Sequence, residues 1–272
     1  MLFRSICLQH KLLIIHESDL DISRSNTNGR VNSNLTTLNG NYKQFINGYD
    51  YNVDVTSSQP TLLVVLFKLI EKMNEGKLSD NWNYLKLYIK NRLSANVNIS
   101  VSTEIIKSLK DVTLPTNRDL GKYSSLCSNG DLYETIQSTY NRILNTNLSR
   151  SEIKQDLFRF YFSGTRNPTV EYQNMKKVFE YLFPSIYKSI NQLKNLIKGK
   201  SHQFYSIILQ SIESYIFIEQ VSKDLSDKGL SYFTIHDAIV CKNKDVDYVN
   251  IKICEFFYRY GVNVNVKNEK LN

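Results

Sequence analysis

From Pro60 to about Lys77 the chain runs Leu, Val and Ile with few interruptions and gathers charge only near the end. That pattern predicts a buried helix with proline in its first turn. Trp82 to Leu93 places aromatic and aliphatic residues on one side and predicts a second helix, whereas residues 104 to 120 are mixed. Gly130-Asp131 opens a helix through Asn141. Ser149 reads as the N-cap of the next, with Glu152 in the third helical position to complete a capping box. Asn167-Pro168 breaks the pattern, after which Val170 to Leu182 and Pro184 to Lys198 read as amphipathic helices, and a long helix is expected from Phe204 to Asp227, closed by Gly229.

Strand-like alternation is confined to a few places. Tyr51-Asn-Val-Asp-Val alternates and runs straight into the apolar helix. Near the C-terminus, Phe233-Thr234-Ile235 and Ile239-Val240 flank His236-Asp237, which predicts a tight hairpin with a carboxylate at its tip. An amphipathic helix from Asp245 to Tyr260 and an alternating strand Val262 to Val266 follow. Residues 19 to 50, with Asn28-Gly29 and Asn39-Gly40, are polar and turn-rich and read as an extended lead-in. Helices in the middle and strands near the two aspartates predict an α+β fold: a small antiparallel sheet backed by helices, with a helical subdomain between its halves. The helix after Pro60 is expected to lie under the sheet.

Composition narrows the class. In 272 residues, 42% hydrophobic and 12% aromatic content fits a globular chain, and the formal net charge of +8 favours an anionic partner, nucleic acid before acidic lipid. No stretch approaches the roughly 20 apolar residues of a membrane span, and an intracellular, cytoplasmic protein is expected. Cys7, Cys127, Cys241 and Cys254 show neither disulfide nor zinc spacing.

Two features carry chemistry. Asp54 and Asp237 are separated carboxylates on strand ends, the donors a two-metal phosphoryl-transfer site requires. Arg150, Lys154, Phe158 and Phe162 recur every four residues, so successive members rotate only about 40° around the helix and share one face. Two cations suit a triphosphate and two flat rings suit a nucleobase. The same spacing also describes a surface helix with solvated cations and core aromatics.

These residues resemble the DNA polymerase I-like (family A) DNA polymerases, of phage or mobile-element type. Arg150-x3-Lys154-x3-Phe158-x3-Phe162-Ser163 is similar to motif B, the fingers helix; Asp54 with Gln59 is similar to motif A, and His236-Asp237 to motif C. In the family's order, Gly29-Arg30-Val-Asn-Ser33, Gly130-Asp131-Leu-Tyr133 and Gln210-Ser-Ile-Glu213 resemble three further segments, so the likeness runs from about residue 28 to 265. Motif A lacks the family's Ile-Glu-Leu-Arg, Ala238 stands where many members have Glu, and Phe162-Ser163 replaces Tyr-Gly.

The resemblance implies a polymerase palm with a helical fingers subdomain. Residues 1–50 would be a lead-in touching primer-template, 51–110 the first part of the palm, 111–203 the fingers and 204–272 the second part of the palm. Little before residue 28 is expected to form a thumb, and no proofreading exonuclease domain is expected. Asp54 and Asp237 would hold two Mg²⁺ ions; Arg150 and Lys154 would contact phosphates; Phe158 and Phe162 would pack on nucleotide and template base. Gln59 would reject a ribose 2′-hydroxyl, while Arg30, Gln210 and His236 would touch the primer-template. The implied activity is template-directed addition of deoxynucleoside triphosphates to a primer 3′-hydroxyl in DNA replication, with a DNA primer-template and an unidentified replication protein as partners. A single-subunit RNA polymerase or primase-like enzyme, and an inactive nucleic-acid-binding remnant, are the alternatives.

Overall fold

The computed structural model describes residues 22–33, 49–196, 201–235 and 237–271. Its architecture is α+β. The main sheet joins β3 (Tyr51–Val55), β4 (Tyr232–Ile235), β5 (Ala238–Cys241) and β6 (Val266–Lys270) in the order β4-β5-β3-β6, every pairing antiparallel. A two-stranded hairpin, β1 (Ile22–Arg24) and β2 (Val31–Ser33), forms a separate sheet whose β2 lies near β4. The lead-in, read as extended and turn-rich, contains a hairpin whose strands were not predicted; three-residue polar strands leave no alternation long enough to read.

β3 alternates as its sequence predicts. Val53 and Val55 are buried in the core, whereas Asn52 and Asp54 point to the other face. The chain then turns sharply at Ser57, a non-glycine residue in the left-handed region at φ 74°, and enters α1 (Ser58–Glu75). Thr61 bonds back to the Ser57 carbonyl through both its amide and its hydroxyl, holding a conformation that costs about 1 kcal/mol or more. α1 is buried along nearly its whole length, Leu62 to Phe67 all at 0% exposure, because it passes through the middle of the molecule. At roughly 1.5–3 kcal/mol per buried large apolar side chain, this one helix anchors much of the fold.

Its neighbours are α2 (Asp80–Ser94), α4 (Asn117–Asn129) and above all α9 (Ser201–Ser214). The helix that lies against β3 and β6 is α11 (Val246–Tyr258), so the expectation that the Pro60 helix lies under the sheet is corrected. α1 is apolar all round, and such a helix needs helical neighbours on several sides, whereas amphipathic α11 can cover one sheet face. Between α1 and the sheet's second half come α3 (Ile99–Ser108), α5 (Leu132–Leu144), α6 (Arg150–Phe162), α7 (Val170–Leu182) and α8 (Pro184–Leu193). An aromatic core ties α4, α6 and α7 together, with Phe160 and Phe179 centroids 4.8 Å apart and Tyr123 edge-on to Phe183 at 5.2 Å.

The long helix expected over 204–227 is three pieces: α9, a π-helical stretch Tyr215–Ser222, and α10 (Lys223–Asp227). β6 begins at Val266, where the alternation Val262–Val266 ends. Its polar sequence, Val-Lys-Asn-Glu-Lys, is that of an exposed edge strand, so it carries no hydrophobic period.

Candidate active site

Asp54 lies on the central strand β3, directly opposite Ala238 on one side and Lys267 on the other. Asp237 sits in the β4–β5 turn, next to Ala238, so strand register alone brings the two aspartates together. Lys267 shares Asp54's face of the sheet. The two carboxylates open into a cavity of about 300 Å³, at the small end of ligand sites, whose walls include Ser57, Ser58 and Gln59 from the start of α1, Tyr133 and Glu134 from α5, and Arg150, Lys154 and Phe158 from α6.

The electrostatics of this cavity are uneven. Burial first, and the Asp237 charge second, push the Asp54 carboxyl up to about 7, against the pull of Lys154 and Lys267. Its Oδ1 is buried and has no hydrogen-bond partner among the described residues, nor do Ser57 Oγ and Ser58 Oγ. Two mutually repelling carboxylates, one with an unpaired oxygen, fit a hard divalent cation. Among the described residues no group of three or more His, Cys, Asp and Glu side chains is placed to hold a metal ion. The remaining coordination positions would fall to water and substrate oxygens, as Mg²⁺ prefers.

The same cavity is lined by α6, started by the expected capping box: Ser149 accepts from the Glu152 amide while the Glu152 carboxylate accepts from the Ser149 amide at 2.8 Å. Arg150 and Lys154 both lie over the Tyr133 ring, at 5.0 and 5.9 Å from its centroid, and Lys154 also lies 5.7 Å from the Phe158 centroid. Tyr133 thus fixes the two cations from the neighbouring helix. Arg150 is also shared with Glu134. Phe158 lines the cavity, whereas Phe162 stacks behind it at 6.2 Å and does not. The first turn of α1 carries no acidic residue and opens on the same space, so unpaired helical amides add positive potential there.

Gln59 lines the cavity at 6% exposure, its Nε2 donating to Glu213. Arg30 and Gln210 stand behind this wall. Arg30 grips Glu213 through Nε and Nη2, both at 2.7 Å, and Asn28 donates to Gln210 at 3.0 Å. The Arg30 guanidinium feels the Asp237 charge, while burial pushes Glu213 up to about 7 against the pull of Arg30. His236 lies outside the described residues.

Of the residues singled out in the sequence, Asp54, Gln59, Arg150, Lys154, Phe158 and Asp237 share one cavity; Arg30 is linked to it through Glu213, whereas Gln210 bonds the hairpin residue Asn28 and does not line it. Ser57, Ser58, Tyr133 and Lys267 were not anticipated as site residues. The positive φ at Ser57 has no signature in sequence, and Lys267 reaches the site only through the β3–β6 pairing.

No protein-family model matches the chain, and no curated protein does. Among solved structures it is similar to the POL domain of Pol1 from M. smegmatis, determined in complex with DNA primer-template and dNTP, at 14% identity and a TM-score of 0.40. The match covers 92% of this chain and 47% of that one, so this chain spans less than half of its length. A likeness at that level carries no argument about activity. The α+β architecture stands on the strands and helices themselves.

Proposed function

We propose that this chain is a template-directed DNA polymerase of the family A type, adding deoxynucleoside triphosphates to a primer 3′-hydroxyl. The observation that supports this best is that Asp54 and Asp237 line one small cavity together with the Arg150–Lys154–Phe158 face of α6. Carboxylates and cations gathered around one cavity are what a metal-bound triphosphate needs.

Asp54 and Asp237 would hold Mg²⁺, which when bound would supply acidity to the primer hydroxyl and charge to the leaving pyrophosphate. Lys154 and Arg150, with the first amides of α1, would orient the phosphate chain, and Tyr133 would keep both cations over its ring. Phe158 would pack on the nucleobase. Gln59, whose bulk stands in the cavity wall, would exclude a ribose 2′-hydroxyl. The hairpin residue Arg30, with Gln210, would carry the edge of the primer-template. Partners are therefore a DNA primer-template and deoxynucleoside triphosphates, and among the described residues no helix is long and apolar enough to cross a membrane.

The test is extension of a labelled primer in Mg²⁺ with each nucleotide supplied singly. Incorporation that follows the template base, prefers deoxynucleotides and disappears in Asp237→Ala is expected. Incorporation indifferent to the template, or retained in Asp237→Ala, would overturn the proposal; preference for ribonucleotides would replace it with RNA synthesis.

A further inference from the structure

Glu213 is 1% exposed, on α9, and belongs to none of the cavity walls, yet three hydrogen bonds from two side chains converge on it. Arg30 supplies two parallel hydrogen bonds at 2.7 Å, and Gln59 Nε2 supplies a third to the same Oε2 that accepts from Arg30 Nη2. Both Glu213 oxygens already accept from Arg30, so the Gln59 amide meets Oε2 through its nitrogen. Among the described residues Gln59 Oε1 has no partner, so Glu213 is the hydrogen-bond anchor of that amide there. Glu213 is itself held from the far side. Arg30 follows Gly29, in the left-handed region at φ 76°, and the turn before it is pinned by Ser214 Oγ donating to the Asn28 carbonyl at 2.7 Å. A fixed line of contacts therefore runs from the β1–β2 hairpin through Arg30 and Glu213 to the Gln59 amide beside Asp54.

We infer that Glu213 is the positioning residue for Gln59: by clamping its amide, it keeps that part of the cavity wall rigid and so sets how strictly the site discriminates between deoxyribose and ribose substrates. This rests on the polymerase reading and adds a residue to it. A wall that rejects one extra hydroxyl by contact must not yield, because a side chain free to change rotamer can swing out of the way. In a cavity this small, a displacement of the size of an oxygen atom decides the outcome. Glu213 touches neither substrate nor reacting atoms, so its effect passes entirely through Gln59.

The test is the ratio of kcat/KM for a deoxynucleotide to that for the matching ribonucleotide, measured for wild type, Glu213→Gln, Gln59→Ala and the double variant. A variant that only folds less well lowers both values together and leaves the ratio unchanged. The inference predicts that Glu213→Gln lowers the ratio about tenfold or more, that Gln59→Ala lowers it at least as far, and that the double variant matches Gln59→Ala alone. Should Glu213→Gln fail to fold, Arg30→Lys removes the fork and leaves the carboxylate, and the ratio must fall in the same direction by a smaller factor. An unchanged ratio in both Glu213→Gln and Arg30→Lys, or additive effects in the double variant, would overturn the inference while leaving the polymerase reading intact. A wild type that incorporates neither nucleotide would overturn both.

Discussion

The pairing of Asp54 with Asp237 carries a cost in stability that substitution can expose. Asp54→Asn keeps the side chain's size and removes its charge. With the carboxyl at about 7 instead of 3.8, ionised Asp54 opposes folding above neutral pH by at most about 4 kcal/mol, at 1.36 kcal/mol per pH unit. Relaxation and water entering the cavity leave roughly 1–3 kcal/mol of this. The sign follows from proton linkage. A raised carboxyl pKa means the native state binds more protons than the unfolded one between about pH 4 and pH 7, so stability present at low pH is lost as pH rises through about 7. Urea unfolding in chelator near pH 8 should show Asp54→Asn more stable than wild type by roughly 1–3 kcal/mol, with the gap shrinking below half near pH 5. Adding Mg²⁺ should stabilise wild type and leave the variant unmoved. A variant less stable than wild type near pH 8, or a gap that does not change with pH, would refute the reasoning.

Other outcomes follow from the same geometry. Lys154→Met should raise the KM for nucleotide by about ten- to a hundredfold, and Arg150→Met by less, because Arg150 is already shared with Glu134; steady-state kinetics of single-nucleotide addition decide this. In Gly29→Ala the new Cβ would lie 2.6 Å from Ser214 Oγ in a left-handed conformation, so the hairpin should undock and stability fall by about 1–3 kcal/mol, read by urea unfolding and by new proteolytic cleavage near residue 29. Lys194 is buried at 1% exposure against the rings of Phe160 and Tyr172, and burial pulls its ammonium down to about 7. The unfolded chain then binds the extra proton, so stability should rise from about pH 7 toward pH 10, and Lys194→Met should flatten that rise in a pH series of denaturation curves.

What the sequence made legible was local. Asp54 and Asp237 were readable because each sits at the end of a short β-prone run, and the Arg150–Phe158 face because a helix repeats nearly every four residues. The capping box at Ser149 is entirely contained in four residues. The rest depends on pairings between distant segments. Lys267 is a charged residue on an edge strand until β6 pairs with β3, and Glu213 is a carboxylate inside an apolar helix until the hairpin delivers Arg30 to it. The helix after Pro60 was recognised, but its neighbours were not, since an all-apolar surface does not say which elements cover it. Phe162 kept the helical spacing and still fell behind Phe158, because the cavity ends before the fourth turn's end.

The central claim is that Asp54 and Asp237 act together as the metal-holding pair of a nucleotidyltransferase. It is tested most directly by single-turnover addition of one templated deoxynucleotide to a primer, with wild type, Asp54→Asn and Asp237→Asn at matched folded concentration, each with Mg²⁺ and with chelator. The account predicts addition by wild type in Mg²⁺ alone and a loss of about a thousandfold or more in either variant, since each removes a ligand on which the charge of the reaction depends. Addition in chelator, or a folded aspartate variant within tenfold of wild type, would contradict it.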